Sequence, residues 1–278
     1  MFIQEAYFVR KYSRCVLKTR EDRKLMLIQT SLPSVLACAA LTVTYAPRTY
    51  PVISCFASIY FAFAINGFCN IITRSYFGGL SKTSEFLIEN GSSLKYQAVP
   101  FTCCVPCMPK HEPTRERLLM LKYGVVQVVF IGTFCTFMNL MVRFDNSACY
   151  NTSFGKFVQI VSMILTISDL LSTMTAMWSL SIIAAAIIPF MEEKQLKQKF
   201  TMFKLMLVFF RIQPQIFNLF TSQLASLRPA QPHYSPVSFT NTLNASFQVA
   251  EFFLLAIALR FIYRKSFLTQ GYEVNGRN

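Results

Sequence analysis

Long uninterrupted runs of apolar residues follow one another along the chain, separated by short polar segments. A helix needs about 20 such residues to cross the ~30 Å hydrocarbon core of a bilayer. Six runs reach that length. Because they are continuous rather than alternating, they favour membrane-spanning helices over the strands of a membrane β-barrel. The runs cover residues 25–46, 52–72, 122–142, 157–190, 203–224 and 239–263.

The predicted fold is therefore an all-α, polytopic helical membrane protein with six transmembrane helices. The fourth run has no Gly or Pro before Pro189, which favours one tilted helix of roughly 50 Å over two crossings. We divide the chain into a cytoplasmic stub, a transmembrane hairpin, a cytoplasmic loop, a four-helix transmembrane part and a cytoplasmic tail. Their bounds are 1–24, 25–72, 73–121, 122–263 and 264–278.

Composition and charge agree with a membrane protein and orient it. Hydrophobic residues make up 53% of the chain and charged residues only 14%, whereas about a quarter of a soluble domain is charged. The net charge of +14 is explained by where the basic residues lie, so no nucleic-acid partner is expected. Most of them fall in residues 1–24, 73–122 and 192–204 or in the C-terminal end from Arg260 onward. This bias predicts that both termini and the cysteine-containing loop are cytoplasmic.

Polar residues recur at helical spacing inside three of the runs, and each such stripe holds one ionisable residue. Steps of three and four keep a stripe on one helix face. Ionisable residues at mid-membrane are costly and are functional candidates, so the stripes predict a polar-lined cavity or path. Hydrogen bonding that merely holds the helices together is the alternative. The stripes are Ser162, Thr166, Asp169 and Thr173; Arg211, Gln215, Asn218 and Ser222; and Asn241, Asn244, Gln248 and Glu251.

The charged residues of these stripes suggest specific roles. Asp169 and Arg211 are expected to pair, which leaves Glu251 to titrate or to bind a polar group. Pro214 removes a backbone donor, so a kink beside Arg211 and an ordinary tolerated membrane proline both remain open. Asn66 belongs to a shorter polar stripe in the second run. The predicted substrate-path residues are Asp169, Arg211, Gln213, Pro214, Gln215, Gln248, Glu251 and Asn66.

No catalytic or cofactor-binding pattern is found, and we predict that the chain is not an enzyme. The two histidines, His111 and His233, fall in loops predicted on opposite sides of the membrane, so they cannot share a metal. Gly78-Gly79 lacks the flanking residues of a phosphate-binding loop. No nucleophile elbow and no metalloprotease helix are present.

Three of the nine cysteines, Cys103, Cys104 and Cys107, crowd between prolines in the predicted cytoplasmic loop. Juxtamembrane cysteines beside basic residues are typical acceptors of S-acyl chains, and palmitoylation is the favoured interpretation. Unmodified thiols and a zinc site completed by His111 are the alternatives, although the spacing fits no standard zinc finger. Disulfides are disfavoured in the cytoplasm. On the opposite side, Asn151 begins a sequon that predicts glycosylation.

The last third of the chain holds several short segments in a set order. They are Phe200-Thr201-Met202-Phe203, Ile212-Gln213-Pro214-Gln215-Ile216-Phe217, Glu251-Phe252-Phe253-Leu254 and Gly271-Tyr272-Glu273. Together with the cysteine–proline loop at 103–109, they resemble the organic solute transporter alpha subunit family. The resemblance extends over essentially the whole chain, with Glu5-Ala6-Tyr7, Pro47-Arg48 and Phe77-Gly78-Gly79 also in line.

The resemblance implies a function and partners. It implies a family fold of seven crossings, so this sequence is expected to start near the inner end of the first helix. It also implies a facilitative carrier of bile acids, steroids or similar solutes, acting with a small single-pass beta subunit in the plasma membrane or in endomembranes. Membrane lipids are further expected partners, and hetero- or homo-oligomerisation is left open. A non-transporting receptor or scaffold in signalling or membrane traffic is the alternative.

The charges inside the runs do not choose the substrate. Two carboxylates, Asp169 and Glu251, stand against the single Arg211, whereas an anionic solute favours positive charge along its path. Protonation of Glu251, a structural role for it, and a neutral or sterol-like solute are the three interpretations that remain open.

Overall fold

Membrane-length helices account for most of the described chain in this computed structural model. The structure describes residues 20–75, 77–98, 110–145, 153–191, 195–220 and 236–275. Within these residues, five helices are long and apolar enough to cross a membrane: Arg23–Tyr45, Pro47–Arg74, Arg115–Val142, Ile160–Phe190 and Ser238–Arg264. They coincide with five of the six predicted runs, and the all-α membrane fold is confirmed.

The remaining run, 203–224, falls on a helical segment that extends from Leu196 to Leu219. This segment is not among the five, because its lysines and its polar stripe make it less apolar than they are. Residues 221–235 lie outside the described residues. The sixth crossing therefore stays a prediction.

We label the α-helices α1 to α9 in chain order. Three π-helical turns extend or join them: Ile71–Ser75 after α2, Val128–Gly132 between α4 and α5, and Val208–Ile212 between α7 and α8. The helices are α1 Arg20–Tyr45, α2 Tyr50–Asn70, α3 Leu80–Glu89, α4 Arg115–Gln127, α5 Thr133–Asp145, α6 Ser153–Ile187, α7 Leu196–Leu207, α8 Gln213–Leu219 and α9 Pro236–Asn275. Short 3₁₀ turns occupy Pro47–Thr49 and Ile188–Phe190.

Helix α2 lies among the other helices and supplies much of the buried core. Phe61 and Ile65 are fully buried, and α2 contacts α1 and α5. The ring of Phe61 stacks on Phe203 of α7 with the ring centroids 5.7 Å apart, and Phe68 also stacks on Phe203, at 5.2 Å. Lipid tails are as apolar as these side chains, so close packing rather than the hydrophobic effect holds α7 against α2.

The fourth run forms the single long helix α6, as predicted. Its second half is buried among the other helices, with Leu180, Ile182 and Ile183 fully inaccessible. Its first half exposes Ile160 and Met163, which are about six-tenths accessible. The same helix therefore offers an apolar face to lipid at one end and forms core at the other.

A two-stranded ribbon closes the base of the predicted cysteine loop. Strand β1, Leu94–Lys95, pairs antiparallel with β2, Lys110–His111. The ring of Tyr96 lies 5.3 Å from His111 and 6.0 Å from Trp178 of α6, measured between centroids. The ribbon thereby anchors both ends of the loop beside α6. The predicted acylation sites Cys103, Cys104 and Cys107 and the predicted glycosylation site Asn151 lie outside the described residues.

Candidate functional site

A buried ion pair joins α6 to the π-helical turn between α7 and α8. Arg211 Nη1 donates a hydrogen bond of 2.6 Å to Asp169 Oδ2. Their side chains are only 11% and 14% exposed. The pairing predicted from the sequence is confirmed. The two charges attract each other strongly in a low dielectric, but both lose their hydration there, so the pair is weak evidence of a gain in stability. Its presence between membrane helices therefore favours a functional role.

Local backbone geometry brings the two charged groups together. Arg211 lies in the π turn Val208–Ile212, and Asp169 faces Gly132, which ends the π turn Val128–Gly132. A Cβ atom at position 132 would lie 3.1 Å from Asp169 Oδ1, so glycine leaves the room that the carboxylate occupies. π turns inside α-helices are rare and are often found at functional sites.

The ion pair does not satisfy all of its own polar atoms. Asp169 Oδ1 and Arg211 Nε are buried and have no hydrogen-bond partner among the described residues. Leaving a buried donor or acceptor unpaired costs about 1–3 kcal/mol. Both atoms therefore have capacity for water or for a polar group of a ligand.

A cavity of about 100 Å³ lies beside the pair, and we call it cavity 1. Helices α2, α5, α6 and α8 line it with a mixture of hydroxyl, amide and charged groups. Because each water occupies about 30 Å³ of liquid volume, cavity 1 has room for a few waters or one small polar group. Its polar lining includes Ser54, Ser58, Thr136, Asn139, Asp169 and Gln215.

Part of the α6 stripe is hydrogen-bonded to a residue of the neighbouring helix α5. Ser162 Oγ donates to Asn139 Oδ1 at 2.6 Å, and Asn139 Nδ2 donates to Thr166 Oγ1 at 2.8 Å. These bonds tie α6 to α5 in the way polar residues join membrane helices. The α6 stripe therefore makes both kinds of contact: Ser162 and Thr166 bond α5, and Thr166 and Asp169 line cavity 1.

Pro214 leaves a backbone carbonyl without a donor, and Gln248 replaces that donor. In the π turn the Gln213 N–H donates to the carbonyl of Val208, five residues back. By the same spacing, a backbone N–H at position 214 would donate to the Phe209 carbonyl. Pro214 has no N–H to give. Gln248 Nε2 of α9 donates to the Phe209 carbonyl at 2.8 Å. Neighbouring helices re-satisfy membrane prolines in this manner.

A second, smaller cavity lies between α1, α2, α8 and α9, and we call it cavity 2. Its volume is about 40 Å³, and Pro214, Asn244 and Gln248 contribute to its lining. Asn244 Oδ1 and Glu251 Oε2 are buried and lack a partner within the part of the chain that the structure describes. The side chain of Gln213 hydrogen-bonds the Glu251 carboxylate, which links α8 to α9 beside cavity 2.

The structure groups most of the predicted path residues around the α7–α8 segment. Asp169, Arg211 and Gln215 line cavity 1, whereas Pro214 and Gln248 line cavity 2. Asn66 lines neither cavity, and its Oδ1 lies 3.5 Å from Nδ2 of Asn70. That any of these residues contacts a solute stays a prediction.

Sequence reasoning missed the contributions of α2 and α5. Tyr50 and Ser54 line both cavities, and Thr136 and Asn139 line cavity 1. The α5 residues carried a detectable signal, because Thr133, Thr136 and Asn139 recur every three positions. Tyr50 and Ser54 carried none, since Tyr50 precedes the second run, 52–72, and Ser54 stands alone near its start.

An apolar groove of about 590 Å³ lies between α4 and α6. Phe130, Trp178 and Tyr96 line it. The two helices lie close together at Gly124 and Ser179, because a Cβ on Gly124 would lie 3.3 Å from that of Ser179. The groove is large enough for a rigid apolar body and contrasts with the polar cavity 1.

Comparison with known proteins gives one consistent result. The family model for organic solute transporter Ostalpha matches residues 5–267. Organic solute transporter subunit alpha of Bos taurus is 24% identical over 98% of this chain and 77% of its own length. The Homo sapiens protein of the same name is 25% identical with the same coverage, and that of Leucoraja erinaceus is 22% identical over 91% of this chain and 68% of its own length. No solved structure matches.

Proposed function

Because the chain belongs to the organic solute transporter Ostalpha family, we propose that it carries steroid-like or bile-acid-like organic solutes across the membrane by facilitated transport. It is a multi-pass membrane protein of a transporter family. The observation that carries the proposal is the ion pair of Asp169 and Arg211, buried between membrane helices, with unpaired polar atoms beside cavity 1. A membrane protein bears such a cost where polar groups pass or bind.

An amphipathic solute suits the two kinds of concave surface that the helices form. The apolar groove between α4 and α6 offers about 590 Å³, which accommodates a ring system, whereas cavity 1 offers charged and amide groups. Ligand sites are mostly apolar with a few well-placed polar groups. Cavity 1 alone, at about 100 Å³, has room for the polar end of such a solute and not for its ring system.

The charge balance at cavity 1 indicates how an anionic group binds there. Asp169 already neutralises Arg211, so an anionic solute competes with Asp169 for the guanidinium. Arg211 Nε has no partner within the described ranges and is a free donor for that solute. A sulfate or carboxylate would accept this hydrogen bond together with one released from Asp169.

The relatives are named subunit alpha, a name that implies a second subunit. We extend this to the present chain and propose a small single-pass beta subunit as its partner. Exposed apolar side chains outside the groove, such as Phe134 and Phe137, supply surface on which a membrane helix packs. The proposed location is the plasma membrane or an endomembrane, with the C-terminus in the cytoplasm.

Uptake of a labelled steroid sulfate or bile acid tests this function. Cells express the full chain with and without a beta-type single-pass partner, and uptake is normalised to chain at the surface. We expect partner-dependent, saturable, ATP-independent uptake that Arg211→Gln lowers at least tenfold. Normal surface expression without any uptake would reject the carrier function in favour of a receptor or scaffold.

A further inference from the structure

Cavities 1 and 2 lie on the two sides of a single turn of α2. Tyr50 and Ser54 are the residues that line both of them. They are four positions apart, so their side chains lie on one helix face, one above the other. This turn of α2 is therefore the shared wall of the two cavities.

The groups on the two sides of the wall are complementary in chemistry. Cavity 1 presents the ion pair of Asp169 and Arg211. Cavity 2 presents the amides of Asn244 and Gln248, and the Asn244 Oδ1 atom has no partner in the described part of the chain. A polar group leaving the ion pair would thus find hydrogen-bonding groups immediately behind the wall.

Tyr50 is the larger and the more adaptable part of this wall. It is the first residue of α2, directly after the 3₁₀ turn Pro47–Thr49, and it is only partly buried. On one side its ring packs against the small cluster of Ala40, Val43 and Ala245. A tyrosine combines an apolar ring with a polar tip, which suits a residue with small apolar neighbours on one side and a polar cavity on the other.

We propose that Tyr50 is a specificity-determining partition that separates the ion-pair cavity from cavity 2 and limits what passes between them. The proposal rests on the solute-carrier function proposed above, since it concerns the route of the solute's polar group. Movement of the ring opens a connection from Asp169 and Arg211 to Asn244 and Gln248. Groups too large to pass the ring are retained in cavity 1.

Cysteine accessibility tests the partition without any transport. Ala245 lines cavity 2 and is 3% exposed, so Ala245→Cys is a reporter there, while the native Cys135 lines cavity 1 and is the reference. A cationic, membrane-impermeant methanethiosulfonate reagent is added to the full chain in cells, and peptide mapping measures labelling at each thiol. We expect Tyr50→Ala to raise labelling at position 245 relative to Cys135 at least tenfold. Tyr50→Phe keeps the ring and is expected to leave the ratio unchanged.

Three results would overturn the partition. The first is an equal ratio of labelling with tyrosine and with alanine at position 50. The second is labelling of Cys69, which is buried at 0% exposure and lines neither cavity, to the same extent as the reporter in Tyr50→Ala, because this would indicate general loosening. The third is the absence of labelling at Cys135 in every variant. Lack of solute uptake by the unmodified chain would instead count against the carrier function alone, since labelling needs no uptake.

Discussion

The side-chain amide of Gln248 donates a hydrogen bond to the backbone carbonyl of Phe209 across 2.8 Å. This bond fastens α9 to the π turn that carries Arg211, at the position where Pro214 interrupts the backbone ladder. The proline and the glutamine are therefore one structural unit contributed by two helices.

Gln248→Ala is expected to destabilise the protein more when residue 214 is proline than when it is alanine. The substitution leaves the Phe209 carbonyl unpaired, and interhelical hydrogen bonds in membranes are worth roughly 0.6–2 kcal/mol. In a Pro214→Ala background the alanine N–H can bond this carbonyl, so the same substitution should cost less. Thermal melting of detergent-solubilised protein in a double-mutant cycle measures the difference.

Ser246→Ala is the matched control for that cycle. Ser246 is exposed on the same helix, and its hydroxyl bonds the Thr242 carbonyl of its own helix at 3.0 Å, so its loss should change melting little. An equal loss from Gln248→Ala in both backgrounds would show that Pro214 is unrelated to the bond.

The two members of the buried ion pair are expected to respond differently in transport. If an anionic solute replaces Asp169 on Arg211, Arg211→Gln removes the binding group and should lower uptake of a steroid sulfate at least tenfold. Asp169→Asn removes the competitor and should retain uptake with a lower KM. Initial uptake rates, normalised to chain at the surface, measure both.

Stability separates this asymmetry from a purely structural role. Breaking a buried pair from one side costs about 3–5 kcal/mol, so the double variant Asp169→Asn with Arg211→Gln should melt higher than either single variant and still not transport. Glu21→Gln at the exposed Arg74 pair, whose side chains are more than half accessible, should change neither melting nor uptake. Equal loss of uptake in Asp169→Asn and Arg211→Gln at equal surface expression would reduce the pair to a structural role.

The sequence predicted the ion pair of Asp169 and Arg211 but not the π turns that position it, for physical reasons. Ionisable residues in apolar runs are costly, so Asp169 and Arg211 could be recognised and matched by charge. Whether a π turn forms depends on which backbone carbonyls are left without a donor once the helices pack. A run of apolar residues does not indicate where this happens. Asn66 satisfied the same spacing rule as the path residues, yet it faces Asn70, because a spacing rule selects a helix face without saying what lies opposite.

The close approach of Gly124 and Ser179 is expected to be sensitive to a single methyl group. A Cβ on Gly124 would lie 3.3 Å from Ser179 Cβ and still nearer its hydroxyl, so Gly124→Ala forces α4 away from α6. Overpacking of this kind costs about 1–3 kcal/mol. Melting temperature should fall in Gly124→Ala and recover in part when Ser179→Ala removes the hydroxyl.

Gly67→Ala provides a comparison on α2, because its added Cβ would meet Leu25 and Gln29 only at 3.4 and 3.5 Å. These are ordinary contact distances, and the change should be milder than at Gly124. If the two substitutions destabilised equally, the contact with Ser179 would not be the cause of the loss at Gly124.

Filling the apolar groove is expected to block bulky solutes without unfolding the protein. Thr175 lines the groove, and among the described residues its hydroxyl bonds the Leu171 carbonyl of its own helix alone, at 2.8 Å. Thr175→Trp should therefore fold and reach the surface, while its ring occupies part of the volume of about 590 Å³. We expect uptake of a conjugated steroid to fall at least fivefold, with thiol labelling of Cys135 in cavity 1 unchanged.

Ile164→Trp is the control that distinguishes groove filling from a general effect of added bulk. Ile164 lies on α6 eleven positions earlier, which three helical turns bring to the same face, and it is 57% exposed outside the groove. It should leave steroid uptake unchanged. Equal inhibition by both tryptophans would indicate a disturbed lipid contact along α6, whereas no inhibition by Thr175→Trp would remove the groove from the solute route and leave the ion-pair cavity as its remaining candidate.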